Sequence, residues 1–102
     1  MVISKTELFD EVLQDQASLF KALAHPARLQ ILLFLAKSKN CISGDISDEL
    51  PLSRTTVNQH LKELKEAGLI QGEINPPYIK YCINKTGWSE AKELLGTFFN
   101  RK

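Results

Sequence analysis

Apolar positions in the first quarter of the chain recur at helical spacing. Leu8, Val12, Leu19 and Leu23 form one stripe, and Phe9, Leu13 and Phe20 form a second beside it. Ser4-Lys5-Thr6-Glu7 has the form of a capping box, so a helix with two apolar faces is predicted to start near residue 5. His25-Pro26 ends it, because the residue before a proline is pushed out of the helical region while proline suits the first turn of a new helix. In that next helix Leu29, Leu32, Leu33 and Ala36, with Ile31, Phe34 and Leu35 between them, leave little polar surface, and it is expected to be largely buried.

Lys37 to Asn40 is a polar turn, Cys41-Ile42 reads as a short strand, and Ser43 is placed to cap a brief helix through Leu50 that buries Ile46 and Leu50. After the break at Pro51-Leu52, Ser53 is the predicted N-cap of a helix running to about Ala67, where Gly68 supplies the left-handed stop. Val57, Leu61 and Leu64 commit one face of this helix to the core and leave Arg54, Thr55, Asn58, Gln59 and Lys62 on the other. Leu69 to Ile74 and Ile79 to Ile83 carry strand-type residues around Asn75-Pro76-Pro77-Tyr78, which predicts a β-hairpin over about 69–83 with a stiff tip. Thr86 is the expected cap of a last helix lined by Trp88, Ala91, Leu94, Leu95, Phe98 and Phe99. The predicted class is mainly α with a small β-hairpin (α+β), in the order helix, turn, helix, hairpin of a winged helix-turn-helix, with residues 1–102 as one domain.

Composition narrows the setting. The 102 residues are 43% hydrophobic and 25% charged, as in ordinary globular proteins, and no apolar run nears the roughly 20 residues of a membrane span. Glu7, Asp10 and Glu11 interrupt any signal-like stretch at the start, so export is not expected. Two cysteines, Cys41 and Cys82, are too few for a disulfide framework and form no CxxC pair, which suits a reducing cytoplasm. The net charge of +1 does not announce nucleic acid, so any such function must come from where the cations sit. Neither a Ser/His/Asp order, a Gly-rich phosphate loop nor clustered carboxylates can be assembled, and an enzyme is not expected.

The helix from Ser53 has the chemistry of a major-groove reader. The groove is about 12 Å wide, admits one helix, and is read by short polar side chains near that helix's N-terminus. Ser53, Arg54, Thr55, Thr56, Asn58 and Gln59 meet this demand: Arg pairs bidentately with guanine and Asn or Gln with adenine. Lys62 and Lys65 lie further along, where a cation reaches phosphate. Lys80, beside the hairpin tip with Tyr78, is a candidate backbone contact. The plainer reading is a solvated face, since Glu63 and Glu66 interleave with Lys62 and Lys65 and can form exposed intrahelical pairs.

The stretch LFKALAHPARLQILLFL, followed by GDISDELPLSRTTVNQHLKELKEAGLI and a short hairpin, resembles the ArsR/SmtB family of bacterial repressors over roughly residues 17 to 84. The resemblance implies a homodimeric winged helix with its outer helices at the interface, bound to an imperfectly palindromic double-stranded operator and released by a ligand. It does not carry over the family's metal sites. Where thiolate-sensing members have a Cys-x-Cys-Asp segment, Ile42 and Gly44 stand at the ligand positions before Asp45, and Cys41 falls one place early. Residues 87–102 hold neither His nor Asp, so the ligands of the zinc-type site on the last helix are missing too, and no cofactor is expected.

In a winged helix the strand near Cys41 pairs with the one holding Cys82, so the thiols can be neighbours. Three readings stay open: a shared soft-metal site needing further ligands, a reversible disulfide, and a pair of inert buried cysteines, of which the last is favoured. His25 reads as a helix cap and His60 as packing, while Arg28 is left between a phosphate and an acidic partner. Phe9, Phe20, Trp88, Phe98 and Phe99 are more apolar surface than one small core absorbs, which independently predicts a twofold dimer. The competing reading is a winged-helix module that docks protein and never meets DNA.

Overall fold

The computed structural model describes residues 8–38, 41–43, 46–47, 50–73 and 79–100. Its elements are α1 (Glu11–Leu23), α2 (Pro26–Lys37), β1 (Ile42–Ser43), α3 (Arg54–Glu66), β2 (Ile70–Glu73), β3 (Lys80–Ile83) and α4 (Lys85–Phe99). The three strands form one antiparallel sheet in the order β1-β3-β2. Among the described residues, no single helix is long and apolar enough to cross a membrane.

Helix α1 starts at Glu11 rather than near residue 5, because the Asp10 side chain accepts from the Val12 amide and caps the helix there. The Gln14 side-chain amide also donates to the Phe9 carbonyl at 2.7 Å, tying the residue before the cap to the first turn of α1. The Ser4–Glu7 capping box lies outside the described residues. The break at His25-Pro26 is as expected: His25 Nδ1 accepts from Ala27 N, and Pro26 opens α2. Asn84, not Thr86, caps α4, since its side-chain oxygen accepts from Gly87 N. The brief helix predicted over 43–50 falls partly outside the described residues. Ser43 itself belongs to β1, while Ile46 and Leu50 are buried as expected.

The core is built from Leu19, Ile31, Leu32, Leu35, Ile46, Leu50, Val57, Leu61, Leu64, Leu69, Ile70 and Tyr81. Tyr81, on the middle strand, is fully buried and anchors the sheet against the helices. Helix α2 is not buried all round. Ile31, Leu32 and Leu35 face inward, whereas Leu29 and Leu33 are exposed, Leu33 by 63%. An apolar residue on every side of a helix can be covered only on the side its own chain packs against. Helix α4 has no fully buried residue; Trp88, Ala91, Leu94 and Leu95 rest half-buried on the core. Gln16, buried in α1, donates to the Leu94 carbonyl at 3.0 Å and so fixes α4 along α1.

Candidate nucleic-acid interface

Helix α3 forms where the sequence places it. Ser53 is the N-cap, its hydroxyl accepting from Thr56 N and donating to Thr56 Oγ1 at 3.0 Å. Two of the six polar residues proposed to read bases therefore use their hydroxyls on each other, to start the helix. Val57, His60, Leu61 and Leu64 are its buried face. Spacings of four, four and three residues put Arg54, Asn58, Lys62 and Lys65 on one outer strip. All are exposed except Asn58, which is half-buried. Thr55 is exposed between this strip and the next. Gln59 lies on the neighbouring flank, where its amide donates to Glu63 at 3.3 Å. Glu63 and Glu66 on that flank join Asp15 and Glu90 in lining a cleft of about 820 Å³. The acids of α3 are thus turned toward this cleft, and the interleaving of Lys and Glu in sequence separates in space into two flanks.

The seat of α3 is a polar cluster that sequence reasoning divided among unrelated roles. Arg28 Nε donates to His60 Nδ1 at 3.1 Å, and its Nη1 donates to the Ala22 carbonyl. Arg28 is therefore not aimed at a phosphate or an acidic partner but ties the end of α1 to α3. The His25 ring lies 4.3 Å from the His60 ring. With Nδ1 accepting from Arg28, neutral His60 carries its proton on Nε2, a buried atom without a partner. Burial, then His25, then Arg28 push the His60 imidazole below its ordinary pKa, and Glu63 offsets this only in part.

The sign follows from linkage. The unfolded chain takes up the His60 proton first as pH falls, so stability drops from about pH 6.5 down to the lowered folded value. We expect the thermal midpoint to fall more steeply between pH 7 and pH 5 in the wild type than in His60→Gln, whose carbonyl can still accept from Arg28. Parallel pH profiles for the two proteins would contradict this assignment.

On the hairpin, Lys80 is exposed, opposite Glu73 of β2 and opposite Ser43 of β1. Its charge therefore has an acidic neighbour across the ladder, a feature hidden in the sequence because the two are seven positions apart. Tyr78 and the tip lie outside the described residues. Cys41 and Cys82 are joined in a disulfide, with Cys41 exposed and Cys82 half-buried, so the reading of two inert, buried cysteines is not what the structure has. Among the described residues no group of three or more His, Cys, Asp or Glu is placed to hold a metal ion.

Three comparisons bear on this arrangement. Residues 25–71 match the family described as "Bacterial regulatory protein, arsR family". Over 73 residues the chain is 41% identical to the HTH-type transcriptional repressor SmtB of Mycobacterium tuberculosis, covering 72% of this chain and 53% of that protein. The chain thus spans about half the length of that relative. It is 30% identical over 84 residues to the transcriptional repressor SdpR of Bacillus subtilis, covering 82% of this chain and 92% of SdpR. An ArsR-like transcriptional regulator from Rhodococcus sp. RHA1 superposes with a TM-score of 0.64 at 23% identity, over 90% of this chain and 89% of that one. At that identity the superposition speaks for the fold, which is the winged helix.

Proposed function

The chain belongs to the ArsR family of bacterial regulatory proteins, and from that premise we propose that it is a sequence-specific DNA-binding transcriptional regulator. Its action is that of a homodimeric repressor in the cytoplasm, released from an imperfectly palindromic operator by an effector. The reading element is the helix over 53–67, with the hairpin over 69–83 as wing. The observation that carries this is the outward strip Arg54, Asn58, Lys62 and Lys65 on a helix whose acids line a separate cleft. Arg54 and Asn58 sit toward the helix N-terminus, where bases are read, and the two lysines sit where phosphates pass. A near-neutral chain needs only this local cation strip, since exposed charges act within about 8–10 Å at moderate salt.

The dimer rests on apolar surface. Leu8, Phe9, Val12 and Leu13 at the start of the chain and Phe98 and Phe99 at its end are exposed, Phe99 by 68%. Phe20 of α1 packs edge-on against both Phe98 and Phe99, so the exposed end of α4 lies against the same helix whose start carries the exposed Val12 and Leu13. A second copy covers this apolar surface by twofold symmetry and sets two α3 helices about 34 Å apart, one turn of DNA. The names of the relatives, repressors in both cases, support the sign of regulation.

Titrating the full chain against labelled DNA from its own promoter at several salt concentrations tests this reading. Affinity should fall steeply and linearly in log–log form as salt rises, with promoter DNA preferred over unrelated sequence. No binding, or a salt-independent response, would favour the protein-docking module, to which the net charge of +1 is equally suited. Sedimentation at micromolar concentration should give a dimer, and a monomer there refutes that part.

A further inference from the structure

We propose that Cys41 and Cys82 are a reversible thiol–disulfide pair, oxidised by a low-molecular-weight disulfide bearing carboxylates that enters the cleft beside them. The regulatory consequence rests on the DNA-binding reading above; the chemistry does not. Register places the pair. Ile42 opposes Tyr81 and Ser43 opposes Lys80, so the next step along the ladder sets Cys41 directly across from Cys82. Their Cα atoms are 4.4 Å apart, the spacing of a close cross-strand pair and within the range a disulfide requires. The pairing of β1 with β3 next to Cys41 brings the two sulfurs together through the backbone as well as through the bond.

A disulfide that serves only to staple a core is shielded from reagents, and this one is not. Cys41 is exposed, and both cysteines line a cleft of about 710 Å³ with Gln71, Lys85, Thr86 and Trp88. That volume is far more than a peroxide needs and accommodates a small organic disulfide. Lys85 and the first turn of α4, a helix of 15 residues, bring positive potential to the cleft. This favours both the attacking thiolate and the carboxylates of the reagent. Gln71 Nε2 approaches Cys82 Sγ at 4.0 Å and can donate to that sulfur when it carries charge.

The Cys41 thiolate attacks one sulfur of the reagent RSSR, forming a mixed disulfide and expelling RS⁻. The Cys82 thiolate then attacks the Cys41 sulfur, closing the protein disulfide and expelling the second RS⁻. Two protein thiols lose two electrons, RSSR is reduced to two RSH, and the protons of the two cysteines end on those thiols. The bond ties residue 41, ahead of α3, to the middle strand two residues from Lys80. Without it, β1 is held at this edge by only two residue pairs. Oxidation thus changes how firmly the wing is fixed to the body of the protein.

The test uses the reduced full chain in glutathione buffers of increasing oxidised fraction, with thiol titration and mass measurement. Both thiols should disappear together within one chain and return on adding reduced glutathione. Cys82→Ser should accumulate a glutathione adduct on residue 41. Lys85→Gln should slow oxidation by oxidised glutathione several-fold while leaving the reaction with uncharged hydroxyethyl disulfide unchanged. Thiols that stay titratable in oxidised glutathione overturn the proposal, as does cross-linking between chains in place of the internal bond. Equal slowing of both reagents by Lys85→Gln overturns the carboxylate preference. Oxidised and reduced protein should differ at least fivefold in Kd for promoter DNA, a difference absent from the Cys41→Ser/Cys82→Ser double variant. Identical affinities overturn the regulatory part. Failure of both the oxidised and the reduced protein to bind any DNA refutes the DNA-binding reading instead, and thiol titration still decides the chemistry.

Discussion

Replacing Arg54 and Asn58 together with alanine is expected to cut affinity for the operator on the order of 100-fold while leaving binding to unrelated DNA nearly unchanged. On the proposed reading each side chain forms a bidentate pair with a base, and such a pair discriminates by about 1–3 kcal/mol. Two at the lower half of that range give the 100-fold figure, at about 1.4 kcal/mol per factor of ten. Arg54 is the first residue of α3 and exposed, and Asn58 is half-buried, so neither removal opens the core beneath Val57 and Leu61. Lys62→Ala should behave differently. It should weaken every sequence alike and reduce the salt slope by about one, because a phosphate contact carries no base identity. Anisotropy titrations of wild type and variants against operator and scrambled duplexes separate the two roles. Equal losses on both duplexes for all three residues would remove the division between base reading and phosphate contact.

Sequence pattern was a good guide wherever one residue type decides the local structure. Pro26 and His25 gave the α1–α2 break, Ser53 gave the start of α3, and Gly68, at φ +82°, gave its stop. The two missed helix starts had rival caps in sequence: Asp10 and Asn84 compete with Ser4 and Thr86, and which one caps depends on where the preceding chain runs. Burial of α2 was overread because apolar pattern reports what wants covering, not what one chain can cover, and Leu29 and Leu33 stay outside. In the site itself, the residue types of the α3 face were readable, but their distant partners were not. The Ser53 cap is local and was readable, whereas Arg28 holds His60 from 32 positions away. Contacts across such separations follow from the docking of α2 on α3, which no local pattern encodes. The cysteine pair shows the same limit: the expected strand pairing brought Cys41 and Cys82 together, but the exposure of Cys41 and the cleft beside it are properties of the assembled surface.

Gly87→Ala is expected to destabilise the fold by about 1–3 kcal/mol, the cost of forcing extra volume into a packed site. That corresponds to a fall of about 4–8 °C in the thermal midpoint for each kcal/mol at this chain length. An alanine in place of a helical glycine ordinarily gains about 0.5–1 kcal/mol, so the sign itself is diagnostic. The reversal comes from the turn after α3. Gly68 closes that helix, Leu69 N donates back to Leu64 O, and Asn84 N donates to Leu69 O at 3.0 Å, which brings the start of α4 onto the turn. A Cβ on Gly87 would run into the Gly68 carbonyl, a backbone group that cannot swing aside, with the Asn84 side-chain nitrogen also close. Gly96→Ala, in the same helix with nothing within 4 Å of an added Cβ, is the control and should stabilise. If both substitutions raise the midpoint, the close approach is wrong. If they move it in opposite directions, the Gly68–Gly87 contact is the joint that fixes α4, with its exposed Phe98 and Phe99, to the end of α3. In a dimer formed through α4, that joint sets the separation and tilt of the two α3 helices, and with them the spacing of half-sites the protein can read.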